Sequence, residues 1–186
     1  QRRRHTWTYL SGGPESAIYK TTDGGENWRK INKGLPSGDL GRIALAVSPA
    51  DSDVVYAMVE GFDKGHGGFY RSDNMGESWN RQSDYFTSGN YYVELIPDPK
   101  NVNRVFSMDT WLHHTEDGGK TFKKTGEKSK HVDNHAMWIN PSNTDHWLVG
   151  CDGGLYETWD GASNWKFYQN LNLTQLYRVA IDNEQP

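Results

Sequence analysis

The densest group of chemically active side chains in this sequence is His131, Asp133, Asn134 and His135. Two imidazoles and a carboxylate so close together could hold a metal ion or relay a proton. The His-x-Asp-Asn-His spacing is not a recognised metal-binding motif, however, and the same groups could instead hydrogen-bond their own loop and cap the strand that follows. We therefore expect no metal and no cofactor, and treat the four residues as candidates for contacting a ligand.

Asp109 and Asp152 are the best candidates for a pair of catalytic carboxylates. Each follows a predicted strand in consecutive structural units, so the two side chains could face each other across one groove. Hydrolysis of a glycosidic bond needs two carboxyl groups about 5 to 9.5 Å apart, one acting as acid and the other as base or nucleophile. Acids that follow strands commonly only cap loops, and this alternative stays open.

Two aromatic residues, Trp111 and Tyr85, fall on the same predicted loops. Their rings could stack on a sugar, or they could fill the space between neighbouring sheets, which is the commoner role of such side chains. Cys151 stands beside Asp152, but a lone cysteine at the end of an apolar strand is usually a buried small residue. One cysteine also excludes an intramolecular disulfide.

The elements that must position these groups are predicted by a pattern that occurs four times, Ser/Thr-x-Asp-x-Gly-x-x-aromatic. Its copies begin at residues 21, 72, 115 and 158, and a period of about 40 to 50 residues is typical of propeller blades and of helical solenoids. Asn replaces the Asp in the second copy, and Ala replaces the Gly in the fourth. The residues of the four copies are Thr21, Asp23, Gly25 and Trp28; Ser72, Asn74, Gly76 and Trp79; Thr115, Asp117, Gly119 and Phe122; and Thr158, Asp160, Ala162 and Trp165.

The sequence between the copies favours strands. Short runs of branched and aromatic residues, such as 43–47, 54–59 and 104–108, are separated by turn-forming Gly, Pro, Asn and Asp. Each period therefore predicts two strands joined by a turn that begins at Pro, then a loop, a third strand, the repeated pattern and a fourth strand. The prolines that begin these turns are Pro49, Pro99 and Pro141.

The repeated pattern itself is expected to be structural. Its carboxylate and hydroxyl can accept backbone N–H groups of a tight turn, its glycine permits a positive φ, and its aromatic residue can cover the contact with the neighbouring sheet. Asn74 supports this interpretation, because an amide can accept hydrogen bonds but cannot serve as a general acid or base.

The pattern resembles the Asp-box, or bacterial neuraminidase repeat, β-propeller family, which includes sialidases, xyloglucanases and sortilin-like receptors. Stretches such as GGFYRSDNMGESW and VDNHAMWINPSNTDHWLVGCDGG are similar to large bacterial secreted proteins labelled glycosyl hydrolase or sortilin-like repeat proteins. The resemblance covers essentially the whole chain. It implies an all-β fold, a β-propeller segment of four-stranded antiparallel blades. Sialidase activity is not expected, because the loops predicted to carry function contain almost no arginine.

Residues 1–186 are therefore expected to form a partial propeller of about four blades. We favour a fragment of a larger propeller over a closed four-bladed ring, because an open array leaves an apolar end face and neither end of the sequence resembles a cap. The predicted blades are 1–33, which is incomplete, then 41–83, 91–126 and 135–170, with 175–186 as the first strand of the next blade or a closing strand.

Composition narrows the partners. A net charge of −4 with 24% charged residues describes a mixed surface rather than a nucleic-acid-binding face, and no apolar run is long enough to span a membrane. The sequence predicts a secreted or cell-surface module, extracellular or periplasmic, that binds a glycan or peptide ligand or acts as a scaffold together with the remainder of a larger propeller chain. A glycoside hydrolase acting on polysaccharide and a sortilin-like sorting receptor are the alternatives.

Overall fold

The computed structural model describes residues 12–61, 67–87 and 93–171. These ranges consist of strands, turns and irregular segments, without a helix, so nothing in them is a helix long and apolar enough to cross a membrane. The predicted strand at 175–186 lies outside the described residues, and so do residues 1–11 of the predicted incomplete blade, 1–33.

The described strands form one two-stranded sheet and three four-stranded antiparallel sheets, and each four-stranded sheet keeps its strands in chain order. The two-stranded sheet is β1 (Tyr19–Lys20) and β2 (Arg29–Lys30). Sheet 1 is β3 (Leu40–Val47), β4 (Val55–Gly61), β5 (Gly68–Ser72) and β6 (Asn80–Ser83). Sheet 2 is β7 (Glu94–Pro97), β8 (Val105–Met108), β9 (His113–Thr115) and β10 (Lys123–Lys124). Sheet 3 is β11 (Asn134–Ile139), β12 (Trp147–Cys151), β13 (Gly154–Thr158) and β14 (Lys166–Phe167).

Apolar side chains between successive sheets form the core. In β4 the side chains of Tyr56 to Val59 are fully buried, because both faces of sheet 1 are covered, and a strand covered on both faces needs a continuous apolar run. Burying one such side chain stabilises the fold by about 1.5–3 kcal/mol. Representative residues are Ile18, Ile31 and Trp79 between the two-stranded sheet and sheet 1, Met58, Phe69 and Leu95 between sheets 1 and 2, and Phe106, Ile139 and Val149 between sheets 2 and 3.

The repeated pattern forms the same hydrogen-bonded turn in all four copies. The hydroxyl of its first residue donates to the Asp or Asn side chain and accepts the amide N–H of the fifth residue, and the Asp or Asn oxygen accepts the amide of the seventh. These last bonds run from Asn27 to Asp23 at 2.9 Å, from Ser78 to Asn74 at 3.0 Å, from Thr121 to Asp117 at 3.0 Å and from Asn164 to Asp160 at 2.9 Å.

Each of these turns in sheets 1 to 3 binds the proline turn of its own sheet. The amides of Met75, Gly118 and Gly161 donate to the carbonyl oxygens of Asp53, Asn103 and Asp145 at 2.7, 3.0 and 3.0 Å. The two kinds of turn therefore lie together at one end of the sheets, which we call the turn side. The opposite end, where β4 leads to β5, β8 to β9 and β12 to β13, is called the loop side.

Aromatic residues of the repeated turns join neighbouring sheets. The indole N–H of Trp79 donates to the carbonyl of Ile31 at 2.8 Å, and that of Trp165 to Gly126 at 2.8 Å. Phe122 has no N–H and instead packs edge-on against Phe69, with ring centroids 5.0 Å apart. Because each bond or contact reaches the preceding sheet, the repeat fixes how successive sheets sit against each other.

Candidate functional site

Two β-bulges shape the loop side of the first strands. One lies between Leu40 and Ile43 of β3 and the other between Asn134 and Ala136 of β11. A bulge leaves a residue out of the regular ladder and turns its side chain in a new direction, which is why bulges are common beside functional sites. Here the bulges contain Arg42 and His135.

Each bulge residue pairs with a carboxylate of the adjoining strand or turn. The Arg42 Nε donates to Glu60 Oε2 at 3.0 Å, and the backbone N–H of Arg42 donates to the same oxygen at 3.0 Å. His135 Nε2 lies 2.8 Å from Asp152 Oδ1, with about half of each side chain exposed. Similar positions in two sheets thus pair a nitrogen with a carboxylate, but the pair in sheet 1 is mostly buried and the pair in sheet 3 is exposed to solvent.

Glu94 brings a third titratable group to the contact between sheets 2 and 3. It is the first residue of β7 and is exposed at the surface, where partial desolvation by the surrounding protein raises the pKa of its carboxyl above the ordinary value, while the charge of His135 acts in the opposite sense. A carboxyl with a raised pKa keeps its proton to higher pH. We call Glu94, His135 and Asp152 the seam cluster.

A buried ion pair supports the seam cluster from beneath. Lys130 Nζ donates to Glu127 Oε1 at 2.8 Å and to Asn134 Oδ1 at 2.5 Å, and both charged side chains are almost completely inaccessible to solvent. The Asn134 amide in turn donates to Glu127 Oε1 at 3.0 Å and to the carbonyl of Asp109 at 3.2 Å. Asn134 therefore joins sheet 2 to sheet 3 from a fully buried position.

The two carboxylates predicted to be catalytic lie in different surroundings. Backbone hydrogen bonds bring their segments to the same contact between sheets, since Asn134 N donates to Asp109 O and Asp152 N donates to Asp133 O, both at 3.2 Å. The Asp109 side chain is buried and its Oδ1 accepts the amide of Thr110 at 2.7 Å, whereas Asp152 faces solvent. Their joint catalytic role stays a prediction.

The remaining predicted ligand contacts are spread over the loop side. His131 is exposed, with Nδ1 2.8 Å from the carbonyl of Val132, and Asp133 adopts a positive φ of 62°. Trp111 is 45% exposed, and the Lys124 ammonium lies 4.3 Å from the centre of its ring.

Tyr85 lies between sheets 1 and 2, stacked on Phe122 with ring centroids 3.8 Å apart. Burial raises the pKa of its phenol to about 12. Its ring face is therefore occupied by protein rather than open for a sugar. In the described ranges, no group of three or more His, Cys, Asp or Glu side chains is arranged to hold a metal ion.

Sequence reasoning missed Arg42, Glu60, Glu94, Glu127 and Lys130. None of them belongs to a motif, and the run containing Glu127 and Lys130 has the composition of a solvent-exposed charged loop. The pairing of Arg42 with Glu60 could have been inferred only after the register of β3 and β4 was known, because the bulge determines it.

Comparison with known proteins gives two kinds of likeness. No known family model matches the sequence. A xyloglucanase from Paenibacillus sp is 24% identical over 184 residues, which is 96% of this chain and 17% of that protein. The GH74 xyloglucanase structure from Xanthomonas campestris superimposes with a TM-score of 0.59 and 18% identity, covering 85% of this chain and 28% of that one.

A second kind of protein has a similar fold. The structure of YCF48 bound to D1 peptide gives a TM-score of 0.53 and 12% identity, covering 83% of this chain and 47% of that one. The chain thus spans less than half the length of each of these three proteins. These likenesses and the successive four-stranded sheets show that the chain is all-β and is folded as a segment of a β-propeller with four-stranded antiparallel blades.

Proposed function

We propose that this chain is the binding segment of a secreted or cell-surface propeller that holds a polysaccharide on its loop side, at the seam cluster. The observation that carries the proposal is the His135–Asp152 pair, 2.8 Å apart and open to solvent. The charge of this imidazole also acts on the carboxyl of Glu94 in the neighbouring sheet. The resemblance of its repeated turns to Asp boxes supports a propeller of this kind.

The chemistry of the seam cluster suits hydroxyl groups. An imidazole and two carboxyl groups supply donors and acceptors in different directions, as a sugar with several hydroxyls requires. The buried Glu127–Lys130 pair and Asn134 hold the backbone beneath them, so little order must be gained on binding. Trp111 offers a half-exposed indole on which a sugar ring can stack.

The class of polysaccharide is inferred from the xyloglucanase likeness, and we propose a neutral β-glucan such as xyloglucan. A neutral chain also avoids repulsion from Glu60, Glu94 and Asp152, whereas a polyanionic glycan would have to approach these three carboxylates, which Arg42 and His135 offset in part. The net charge of −4 acts in the same direction.

Affinity electrophoresis in gels containing xyloglucan tests this proposal. The chain should be retarded by xyloglucan and not by polygalacturonate, and His135→Ala and Asp152→Asn should each weaken binding by about tenfold or more, equivalent to about 1.4 kcal/mol. Glu116→Gln is the matched control. Glu116 lies in a repeated turn on the turn side, away from the seam cluster, and its exposed carboxylate pairs with Lys123 at 2.8 Å. Equal retardation of all four proteins would contradict the proposal.

Glycoside hydrolysis is a second candidate function, favoured by the difference between Glu94 and Asp152. Partial desolvation raises the pKa of Glu94, as a proton donor requires, while Asp152 pairs with His135 at 2.8 Å. Two carboxyl groups in unlike environments can divide the roles of acid and base. Asp109 is the alternative partner of Asp152, although its burial would leave it dependent on a movement of the Thr110 backbone.

Release of reducing ends from xyloglucan distinguishes the two functions. A binding segment gives retardation without release. Hydrolysis at the seam cluster predicts turnover that is lost in Glu94→Gln and Asp152→Asn but retained in Glu116→Gln. Loss in Asp109→Asn and Asp152→Asn, with Glu94→Gln active, would instead favour the Asp109–Asp152 pair. Binding of peptides but of no glycan would favour a sortilin-like role.

A further inference from the structure

The sequence contains four Asp-Gly pairs, at 23–24, 117–118, 152–153 and 160–161. In such a pair the amide nitrogen of the glycine can attack Cγ of the aspartate and close a succinimide ring, because glycine has no side chain to hinder the approach. The reaction requires an aspartate side chain that can turn toward its own backbone. It also requires a glycine nitrogen that is free to attack.

Three of the four pairs lie in the repeated turns, where both oxygens of each carboxylate accept hydrogen bonds from the residue four positions later. Turning the carboxyl group toward the following glycine would break both bonds. Exposure does not separate these pairs from the fourth, because two of the three aspartates are exposed as well. The backbone and side-chain bonds run from Asn27 to Asp23 at 2.9 and 2.7 Å, from Thr121 to Asp117 at 3.0 and 2.6 Å, and from Asn164 to Asp160 at 2.9 and 2.7 Å.

The attacking nitrogen is also held in two of these turns. The amide of Gly118 donates to the carbonyl of Asn103, and the amide of Gly161 donates to the carbonyl of Asp145, both at 3.0 Å. These are the bonds that join each repeated turn to the proline turn of its own sheet. Closing a succinimide there would therefore require the two turns to separate, in addition to the loss of the carboxylate's own bonds.

Asp152 and Gly153 are held in a different way. They form the turn between β12 and β13, and the Asp152 side chain is 59% exposed. Its Oδ1 lies 2.8 Å from Nε2 of His135, a side chain that is itself half exposed and can move with it. The Gly153 N–H interacts with the thiol of Cys151, and sulfur is a weak acceptor. Both reacting groups are therefore held by weaker contacts than their counterparts in the repeated turns.

We propose that the Asp152–Gly153 pair is a site of covalent modification in the folded chain, where the aspartate is converted to isoaspartate through a succinimide. The nitrogen of Gly153 bonds to Cγ of Asp152, and the Cγ–O bond breaks. The oxygen leaves as water with the amide proton and the carboxyl proton. A second water then opens the ring. Its addition at the backbone carbonyl of Asp152 leaves the chain running through Cγ, as isoaspartate, whereas its addition at Cγ restores aspartate. Water is the only other reactant.

The conversion would change the seam cluster. Isoaspartate adds one carbon to the backbone of a short turn whose flanking residues, Cys151 and Gly154, are paired across the hairpin. The remaining carboxylate is then attached directly to Cα, so it no longer reaches His135 as the Asp152 side chain does. The inference rests on the contacts of the four Asp-Gly pairs and does not depend on the proposed polysaccharide binding.

Warm incubation of the folded chain near neutral pH, in water enriched in the heavy oxygen isotope, tests the proposal. Opening of a succinimide adds one heavy oxygen to the peptide, and chromatography separates isoaspartate peptides from aspartate peptides. Chymotrypsin, used afterwards in ordinary water, cuts after aromatic residues such as Tyr156 and so separates Asp152 from Asp160. Asp152 should convert faster than the aspartates of the repeated turns by about tenfold or more, equivalent to a barrier lower by about 1.4 kcal/mol.

Incubation in urea gives the reference rates, because unfolding removes the hydrogen bonds of the repeated turns and all four pairs should then convert at similar rates. Asp152→Glu keeps the charge at an exposed position and should lose the signal, since its side chain would have to close a larger ring. It is a better control than Gly153→Ala, whose new Cβ would lie 2.4 Å from Cβ of His131. The proposal would be overturned if Asp152 in the folded chain converted no faster than the other three aspartates, or if Asp152→Glu kept the heavy-oxygen signal.

Discussion

The turn side and the loop side of the sheets differ in how their polar groups are satisfied. On the turn side one set of hydrogen bonds recurs in four copies, with distances that agree within a few tenths of an ångström. On the loop side each sheet has its own arrangement: Arg42 with Glu60 in sheet 1, Glu94 in sheet 2, and His135 with Asp152 in sheet 3. The repeated turns on the turn side thus hold the sheets together. The loop side differs in its residues from sheet to sheet, as a specific binding site requires.

The two sides should also differ in how strongly single residues contribute to the free energy of unfolding. A turn that recurs can lose one copy and leave its neighbours intact, because in a stacked array each unit contacts mainly its neighbours. The buried Glu127–Lys130 pair on the loop side has no counterpart in the described part of sheets 1 and 3. Stability of the loop side should therefore depend on single residues more than stability of the turn side does.

Lys130→Met should have the largest effect. It leaves the Glu127 carboxylate buried without its cation, and breaking a buried pair in this way costs about 3–5 kcal/mol. The free energy of unfolding from urea denaturation measures the loss. Lys123→Met is the control, since the Lys123–Glu116 pair on the turn side is exposed and contributes about 0–1 kcal/mol. Equal losses of unfolding free energy in the two variants would contradict the expected difference between the loop side and the turn side.

Gly119→Ala should destabilise more than Gly25→Ala, although both glycines occupy the same place in the repeated turn. Their φ values are 100° and 101°, so a Cβ strains both backbones by about 1–2 kcal/mol. At Gly119 the new Cβ would also lie 2.1 Å from the Phe69 ring, whereas at Gly25 the nearest atom is 3.9 Å away in Trp28. We expect a loss of about 2–4 kcal/mol at Gly119.

Chemical denaturation of both glycine variants separates backbone strain from packing. The strain is common to the two sites, so the difference between them reports the contact with sheet 1 alone. Indistinguishable losses of unfolding free energy would contradict this expectation. They would mean that the copies of the repeated turn are alike in packing as well as in hydrogen bonding.

Much of the fold could be predicted from the sequence because the relevant signals are local. The spacing of Thr115, Asp117 and Gly119 specifies a turn whose hydrogen bonds close within five residues. Runs such as 54–59 alternate with turn residues, and that is sufficient to predict strands. Recurrence then predicted successive four-stranded sheets, which the structure confirms.

The candidate site was less predictable because its contacts are not local. Lys130 meets Asn134 and Glu127 only after the chain folds under β11, and the charge of His135 reaches Glu94 only after sheets 2 and 3 pack together. His135 was identified as a ligand candidate from the density of polar residues around it. Its pairing with Asp152 depends on a bulge, which has no sequence signal here.

The repeated carboxylates should make the turn side sensitive to acid. Hydrogen bonds, first of all from the Asn27 amide, lower the pKa of Asp23 from 3.8 to about 2. For Asp117, burial raises the pKa, but hydrogen bonds from Thr121, Thr115 and Lys120 outweigh it and lower the pKa to about 2. A pKa below its unfolded value means stability that is present at neutral pH and is lost as pH falls from 3.8 toward 2.

Melting temperature as a function of pH measures this effect. Asp117→Asn should flatten the decline below pH 3.8 while changing the neutral melting temperature little. Asn74 already shows that an amide can make the same bonds, accepting the Ser78 amide at 3.0 Å and donating to its hydroxyl at 2.9 Å. If the melting temperature of Asp117→Asn fell with pH as that of the unchanged chain does, the acid sensitivity would come from other titratable groups.

Met75→Gly should have the smallest effect and the opposite sign. Met75 is the fourth residue of its turn, where the other three copies have glycine, and its φ is 54°. Its side chain is 52% exposed, while its amide and carbonyl already make hydrogen bonds that glycine would keep, to Asp53 at 2.7 Å and from Lys20 at 2.9 Å. Relief of the left-handed strain should therefore exceed the entropy cost of glycine and stabilise the fold by about 0.5–1 kcal/mol.

Two further substitutions show whether the gain comes from φ. Met75→Ala keeps a Cβ and should bring no gain, whereas a gain equal to that of glycine would point to the methionine side chain instead. Ala162 has a φ of 74° but is only 6% exposed in the core between sheets 2 and 3. Ala162→Gly therefore loses a buried methyl, worth about 0.8 kcal/mol, which offsets the relief of strain. Met75→Gly should stabilise and Ala162→Gly should not, because the same departure from the repeat is solvated in one copy and packed in the other.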